Sequence, residues 1–174
     1  TNIGGNGFAA ILKNGGNKTV LFRADMDALP IKEETGISFE SVKTTKQNGM
    51  NVPIMHACGH DIHMTSLIGT AEYFSKNKDS WKGTIVFILQ PAEEIGFGAR
   101  QMINAGLFKK IPYPDINLAL HVSAQTQSGT VHITPGFAMA NVDSVDVTFY
   151  GEGGHGAYPH LTKDPIVMSS QFIT

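Results

Sequence analysis

Apolar positions along the chain fall into three short continuous runs, which we interpret as buried strands. The runs are TVLF at 19–22, TIVFIL at 84–89 and NLALHV at 117–122. Continuous apolar runs of this length are typical of strands that are covered on both faces, as in a parallel sheet. The sequence therefore predicts a sheet with buried central strands.

Helical spacing separates these runs. From Met64 to Phe74 apolar residues recur at intervals of three and four, which predicts an amphipathic helix. The segment GARQMINAG (98–106) predicts a shorter helix that stops at Gly106. Alternation of strand and helix predicts a doubly wound α/β core. The polar stretch from Glu33 to Val52 is too long for a tight connection, so we interpret it as a surface excursion that borders the site.

The pattern changes after Gly136. Val145, Val147 and Phe149 alternate with polar residues, which predicts a half-exposed strand. A glycine-rich loop (151–163) follows, and Asp164 with Pro165 predicts a helix N-cap and first helical residue. We divide the chain into a catalytic domain at 1–141 and the start of a second domain at 142–174. Because about thirty residues rarely bury a core, we expect the chain to be part of a longer protein.

Composition narrows the class of protein. Hydrophobic residues make up 41% of the 174 positions and charged residues 16%, which predicts a folded core. The net charge is −2 and no basic run occurs, so we expect neither nucleic acid nor a membrane surface as a partner. We expect a cytoplasmic protein. The chain begins with TNIGGNG and lacks an initiator methionine, so the sequence does not test for a signal peptide.

Residue types that bind metals cluster near the ends of the predicted strands. MHACGHDIHM (55–64) contains Cys58, which is the only cysteine, and His60. Since ligand sites in open α/β sheets form at the carboxyl ends of the strands, we expect these candidates to converge at one edge. The others are Asp25 and Asp27 after the first run, Glu93 and Glu94 after the second, and His121 in the third.

Imidazole, thiolate and carboxylate together indicate divalent transition ions. Imidazole and thiolate favour zinc, nickel or cobalt, and carboxylates also admit manganese. The candidates outnumber the ligands of one tetrahedral ion, which favours two ions ~3.5–4 Å apart. Glu93 and Glu94 are neighbours and cannot both face one ion, so one is expected to bind metal and the other to transfer protons. Such a site is suited to amide hydrolysis.

Simpler interpretations exist for each residue alone. Cys58 could be a buried structural thiol, His121 a core histidine, and the two aspartates turn caps. Convergence at one sheet edge favours metal binding instead, with His63 supporting the start of the helix. A Cys58 nucleophile paired with His60 is disfavoured, because nearby carboxylates raise the pKa of a thiol unless a cation is present. A metal-binding or oligomerising module without turnover is a further alternative.

Five motifs in order carry a resemblance to a known family. RADMDALP, MHACGHDIHM, QPAEE, ALHV and GEGGHGAYPH resemble the metal-dependent amidohydrolases of the aminoacylase/carboxypeptidase clan, over Lys18 to Thr174. The similar subfamily holds hippurate hydrolase, N-acyl-amino-acid amidohydrolases and indole-acetyl-amino-acid hydrolases. The resemblance implies a zinc-peptidase-like α/β fold, with a doubly wound mixed sheet, helices on both faces and a smaller α/β lid domain that mediates dimerisation.

The resemblance also implies roles for individual residues. Glu93 would be the general acid/base, with Asp27 in the catalytic group. Asp25 and Asp27 match a segment in which related peptidases carry a metal-binding histidine and a supporting aspartate. His155 matches a lid histidine that binds the substrate carbonyl or oxyanion, often across a dimer; alternatively it only shapes its turn. The implied metal ligands are Cys58, as a bridging thiolate, together with His60, Glu94 and His121, and a last histidine ligand would lie outside this chain.

These expectations amount to one functional hypothesis. The protein would hydrolyse the amide bond of N-acyl amino acids, with two divalent ions (zinc, manganese, nickel or cobalt) as cofactors. Its partners would be a small-molecule substrate and, through the lid, further copies of itself in a homodimer or higher homo-oligomer. The alternatives are a metallo-carboxypeptidase or dipeptidase and a non-catalytic metal-binding fragment.

Overall fold

The computed structural model describes residues 2–174, which form seven strands and four α-helices. The strands are β1 (Asn2–Ile3), β2 (Gly7–Asn14), β3 (Thr19–Asp25), β4 (Thr44–Gln47), β5 (Met50–Pro53), β6 (Gly83–Gln90) and β7 (Ile116–Ala119). The helices are α1 (His60–Lys76), α2 (Gly98–Asn104), α3 (Leu107–Lys110) and α4 (Pro165–Ile173), with 3₁₀ turns at Lys78–Ser80 and Pro159–Leu161.

Five strands form one mixed sheet in the order β1-β2-β6-β3-β7. β3 lies between β6 and β7 and is parallel to both, whereas β2 is antiparallel to β6 and to β1. Asp25 at the end of β3 stands opposite Gln90 at the end of β6. The carboxyl ends of β3, β6 and β7 therefore meet at one edge, which we call the site edge.

Apolar cores cover both faces of this sheet. Alternate residues of β6 point to opposite faces, so Val86 and Ile88 pack with α2 and α3, whereas Ile85 and Phe87 pack with α1. Full burial of each such side chain contributes about 1.5–3 kcal/mol. Helices on both faces of a mixed sheet confirm the predicted fold class. The first core also contains Ile3, Leu21, Met102, Leu107 and Ile111, and the second Ala24 and Leu67.

The three strands predicted from continuous apolar runs and the two helices predicted between them are present, with two local differences. β7 ends at Ala119, so His121 lies beyond the strand and not within it, because β7 pairs only with residues 20–23 of β3. The interpretation of 33–52 as a surface excursion did not include the hairpin of β4 and β5 within it. Its turn residues Asn48 and Gly49 have φ values of 51° and 79°, as a two-residue hairpin turn requires.

The chain forms two compact units, the first ending at Gln127 and the second running from Ser128 to Thr174. The expected division into a catalytic and a lid domain at 141/142 stays a prediction. In the second unit, Asp164 caps α4 by accepting a hydrogen bond from the Ile166 amide at 2.8 Å, as predicted. The strand predicted around 145–149 is wrong: no other segment of residues 2–174 pairs with it, and a strand needs such a partner.

A helix that crosses a lipid bilayer needs about 20 predominantly apolar residues. None of the helices within residues 2–174 is long and apolar enough to span a membrane.

Candidate metal centre

His60 is the most enclosed of the candidate ligands. It is the first residue of α1 and is completely buried. Its Nδ1 donates a hydrogen bond to the carbonyl oxygen of Asp27 at 2.9 Å, so the lone pair of the ring lies on Nε2. Within the described residues, this Nε2 has no hydrogen-bond partner.

Carboxylate oxygens surround the Nε2 atom of His60. Oδ2 of Asp25 and Oε1 of Glu94 each lie 3.7 Å away, and Oε2 of Glu93 lies 3.9 Å away. Lone pairs therefore face one another in a buried space, and a buried polar atom without a partner costs about 1–3 kcal/mol. A cation between these atoms would remove the repulsion between the lone pairs and would give Nε2 of His60 a partner. The residues at the site edge thus fit a metal ion.

Three sets of ligand atoms within residues 2–174 are close enough together to share an ion. In each set the atoms lie within 4.8 Å of one another, and His60 belongs to all three. Because Nε2 of His60 carries a single lone pair, these overlapping sets locate an ion position beside this atom. The sets are Cys58, His60 and His121; His60, Glu93 and Glu94; and Asp25, His60 and His63.

Cys58 is brought to His121 by a turn that only glycine fits. Gly59 has a φ of 75°, and a Cβ atom there would lie 2.4 Å from Cγ2 of Val122. This turn directs Sγ of Cys58 to within 3.4 Å of Nε2 of His121. Burial and the nearby Glu94 carboxylate raise the pKa of the Cys58 thiol. A thiol in such surroundings is poorly ionised without a cation, which disfavours a Cys58 nucleophile.

A strained turn after β6 presents the two glutamates. Ala92 has a positive φ of 52°, which is uncommon for a residue with a side chain. Its carbonyl oxygen accepts hydrogen bonds from the amides of Phe97 and Gly98 at 3.1 and 3.0 Å. A Cβ atom on Gly98 would lie 1.5 Å from the Pro91 carbonyl oxygen, so glycine is required there. The closed turn holds Glu93 and Glu94 at the site edge.

Asp25 at the end of β3 and Asp27 just beyond it have different partners. Oδ2 of Asp27 accepts a hydrogen bond from the Glu94 amide at 3.0 Å, while its carbonyl oxygen binds His60. Oδ1 of Asp27 is buried, lacks a hydrogen-bond partner in the described chain and lies 3.2 Å from Nδ1 of His60. Asp27 therefore ties the helix start to the glutamate turn. Its catalytic role stays a prediction.

Asp25 is buried and bound on both oxygens. Arg23 donates to Oδ2 at 2.7 Å, and His63 donates to Oδ1 at 2.5 Å. Burial opposes ionisation of this carboxyl, but the His63 hydrogen bond and the Arg23 charge outweigh it and lower the pKa of Asp25. Asp25 is thus an ionised carboxylate held at the site edge.

His155 belongs to the second unit and is held by local contacts. Its Nδ1 accepts a hydrogen bond from the Ala157 amide at 3.1 Å, and its ring lies 5.5 Å from that of Tyr158. Nε2 therefore carries the ring proton and can donate. His155 is exposed and borders an open pocket of the glycine-rich loop, lined by Gly151, Gly154, Lys163 and neighbouring residues.

Sequence reasoning missed the residues that hold the site together. Val122 covers Gly59 and donates its amide to His63, and Gly98 closes the glutamate turn. One available signal was the spacing of His60 and His63, which puts both on one side of α1. Another was the spacing of Arg23 and Asp25 on one side of β3. The close approaches of Gly59 and Gly98 leave no comparable signal in one sequence.

Comparison with known proteins identifies relatives of this chain. The model of peptidase family M20/M25/M40 matches residues 21–170. An N-acetyldiaminopimelate deacetylase of Leuconostoc mesenteroides is 38% identical over 157 residues, which cover 90% of this chain and 38% of that enzyme. Thermostable carboxypeptidase 1 of Saccharolobus solfataricus is 44% identical over 156 residues, covering 88% of this chain and 37% of that protein. The chain thus spans about two fifths of the length of these curated relatives.

Solved structures resemble the chain as well. A protein of methicillin-resistant Staphylococcus aureus, assigned as an aminohydrolase, superposes with a TM-score of 0.68 and 36% identity, over 97% of this chain and 42% of that one. The YXEP protein of Bacillus subtilis, a dinuclear metal-binding peptidase, superposes with a TM-score of 0.58 and 37% identity, over 68% of this chain and 30% of its own.

Proposed function

The chain belongs to peptidase family M20/M25/M40, and from this membership we propose that the protein is a metal-dependent amidohydrolase that releases amino acids from N-acyl amino acids. The observation that carries the proposal is the buried, unpartnered Nε2 of His60, which faces carboxylate oxygens of three residues within 3.9 Å. The deacetylase and carboxypeptidase names of its relatives favour an amide bond as the target.

The residues that would hold the metal come from three segments. They are Cys58 and His60 just before and at the start of α1, Glu94 in the turn after β6, and His121 beyond β7. The dinuclear site of the similar Bacillus subtilis peptidase supports two ions. When bound, such ions supply a Lewis acid and lower the pKa of water so that it is a nucleophile near neutral pH. Zinc, manganese, nickel and cobalt all suit this ligand set.

In the proposed reaction, Glu93 transfers the protons. Its carboxylate accepts a proton from the attacking water as the oxygen bonds to the amide carbon, and returns it to the nitrogen as the carbon–nitrogen bond breaks. Water and the N-acyl amino acid thus become a carboxylate and a free amino acid. Asp27 fixes the positions of Glu94 and His60 by accepting hydrogen bonds from the Glu94 amide and from Nδ1–H of His60.

For His155 we propose a contribution to the transition state. Its Nε2–H would donate to the carbonyl oxygen as negative charge develops there, in this subunit or, across a homodimer, in the other. Support comes from the hydrogen bond at Nδ1, which leaves the proton on Nε2, and from the exposure of the ring.

A second function, carboxypeptidase action on short peptides, is favoured by the 44% identity to a thermostable carboxypeptidase. Both functions cleave an amide whose nitrogen belongs to an amino acid with a free carboxylate, so they differ in the group on the carbonyl side of that amide. The deacetylase relatives favour a small acyl group for the first function.

The test is a substrate screen on the full-length protein with its metal content measured. Zinc-, manganese- or cobalt-loaded protein is assayed with N-acetyl, N-benzoyl and indole-acetyl amino acids and with short peptides. Release of free amino acid, lost with chelator and restored by metal, is the expected result. Preference for peptides would select the carboxypeptidase function. A metal-loaded protein that cleaves none of these substrates would overturn the proposal.

A further inference from the structure

A chain of hydrogen bonds runs beneath the candidate ligands. Arg23 donates to Oε1 of Gln90 at 2.9 Å and to Oδ2 of Asp25 at 2.7 Å. Oδ1 of Asp25 accepts from Nδ1 of His63, and Nε2 of His63 accepts from the amide of Val122 at 3.0 Å. Asp25 and His63 are each only 1% exposed, so the hydrogen bond between them is shielded from water.

The partners of His63 fix its tautomer. A backbone amide can only donate, so Nε2 of His63 is an acceptor and the ring proton lies on Nδ1. Nδ1–H donates a hydrogen bond to the Asp25 carboxylate, whose oxygens can only accept. Both ring nitrogens of His63 are therefore used. Although His63 belongs to one of the candidate ligand sets, it has no lone pair left for an ion.

Val122 connects this series of hydrogen bonds to the candidate ligand His121. Its amide is bound by His63, and its carbonyl oxygen accepts a hydrogen bond from Nδ1 of His121 at 2.7 Å. The rings of His63 and His121 also meet edge-on, with centroids 4.5 Å apart and planes at 69°. With its proton on Nδ1, His121 directs the lone pair of Nε2 towards Cys58, 3.4 Å away. The Val122 amide belongs to the His121–Val122 peptide group, so its hydrogen bond to His63 fixes the backbone from which the His121 ring extends.

We propose that His63 is a positioning residue for His121, acting through the Val122 amide and held in its tautomer by Asp25. The inference rests on the proposed metal site, and it assigns His63 a role in metal affinity without metal contact. It also gives Asp25 a function: Oδ1 of the carboxylate orients His63, while Oδ2 faces His60 at the site edge. A residue that merely fills the core would have no such effect on the ion.

Two replacements of His63 separate its two hydrogen bonds. In His63→Gln the amide oxygen reaches roughly the place of Nε2, so an acceptor for the Val122 amide is retained. In His63→Asn the shorter amide lies near the place of Nδ1, so the bond to Asp25 is retained and the Val122 amide loses its acceptor. Leu67→Ala is the control, since Leu67 is buried in the same helix and belongs to the apolar core.

The experiment measures zinc affinity of the four full-length proteins by competition with a chelator, together with Tm. We expect His63→Asn to weaken zinc binding about 10–100-fold, the range typical of lost outer hydrogen bonds, and His63→Gln to recover most of it. Leu67→Ala should lower Tm and leave zinc affinity unchanged. Equal losses in the Asn and Gln variants, or unchanged affinity in His63→Asn, would overturn the inference while the metal site stands. A wild-type protein that binds no zinc would overturn both.

A measurement on the wild-type protein covers the case in which the variants do not fold. In ¹⁵N-labelled full-length protein, we expect a scalar coupling across the hydrogen bond between the Val122 amide and Nε2 of His63. The His63 Nε2 resonance should be that of an unprotonated nitrogen. A proton on Nε2 of His63 would contradict the hydrogen bond from Val122 and therefore the inference.

Discussion

The histidines of the two units are held in different ways. His60 is fully buried and bound to the carbonyl of Asp27, 33 positions away in sequence. His155 is exposed, and it contacts Ala157 and Tyr158, two and three positions away. Long-range bonds fix the first histidine, whereas one loop shapes the second.

This difference determines how each region should respond to substitution. At the site edge, hydrogen bonds join side chains from segments that are distant in sequence, so one replacement displaces several groups. In the glycine-rich loop, a replacement removes one side chain and leaves its neighbours in place. Substitutions of the proposed metal ligands and of the residues that hold them should therefore change metal binding or stability, while those in the loop should change only turnover.

The largest effect is expected at the twin glutamates. Glu93→Gln removes the proposed base and keeps its shape, so kcat should fall by ~10²–10⁴ with metal content unchanged. Glu94→Gln removes a charged oxygen from the proposed metal set, so metal content should fall and activity should partly return in excess metal. The measurement is metal stoichiometry and kcat for both variants at several metal concentrations. The opposite pattern of metal loss would exchange their roles.

His155→Ala tests the loop side of the comparison. Loss of one donor to a developing oxyanion typically lowers kcat by ~10²–10³, and we expect this with unchanged metal content and Tm. His160→Ala is the matched control, since His160 is also exposed and also contacts Tyr158. If His155→Ala keeps kcat within a few-fold of the wild type, the histidine only shapes its turn.

A pair of glycines tests the difference in stability directly. Gly59→Ala introduces a side chain at a φ of 75° and 2.4 Å from Val122, so the free energy of unfolding should fall by about 1–3 kcal/mol, with weaker metal binding. Gly153→Ala in the loop meets nothing within 4 Å and should change stability by less than ~0.5 kcal/mol. Denaturant unfolding of both variants measures the contrast. Equal changes in the free energy of unfolding of the two variants would show that the site edge is not more constrained than the loop.

The smallest effect is expected at the other edge of the sheet. Oδ2 of Asp115 accepts the Thr19 amide at 2.8 Å and Oδ1 accepts from Lys18 at 3.0 Å, and the Thr19 bond is the main reason for its lowered pKa. Since the folded-state pKa is the lower one, this stabilisation is present above the unfolded-state pKa and is lost as the pH falls through the folded-state pKa. Asp115→Asn should thus lower Tm slightly at neutral pH.

The difference in Tm between wild type and Asp115→Asn should shrink below about pH 4, where the unfolded-state carboxyl takes up its proton. Zinc affinity at neutral pH should be the same in both proteins, since Asp115 lies far from the carboxyl ends of the strands. Thermal unfolding across the acid range measures the first expectation. A difference that grows towards acid pH would contradict the assigned direction of the pKa.

Features with a local pattern were predictable from the sequence. β3, β6 and α1 follow from their apolar spacing, and Asp164 with Pro165 marks the start of α4. The convergence of ligand types at one edge follows from the parallel pairing of the strands. Two further features have a local signal. The apolar run FAAIL marks β2, and Asn48–Gly49 marks the turn between β4 and β5.

Features that depend on distant partners were not predictable. Whether residues 145–149 form a strand depends on a neighbour to pair with, and not on their alternation. The roles of Asp25 and His63 emerge only when β3, α1 and Val122 are together in space. One sequence shows which residues can donate or accept, but it does not show which atoms meet.

The separation of the site's parts along the chain also bears on folding order. The contacts that join them span 33 positions between Asp27 and His60, 63 between Cys58 and His121, and 67 between Asp27 and Glu94. Closing such loops costs chain entropy before any contact compensates, so these contacts form slowly. While the sheet is incompletely paired, Cys58 and His60 are the only two of the proposed ligands that sequence alone keeps close together. An ion that needs the whole set therefore binds the finished sheet alone, and by mass action it draws unfolded and half-folded chains towards the native state.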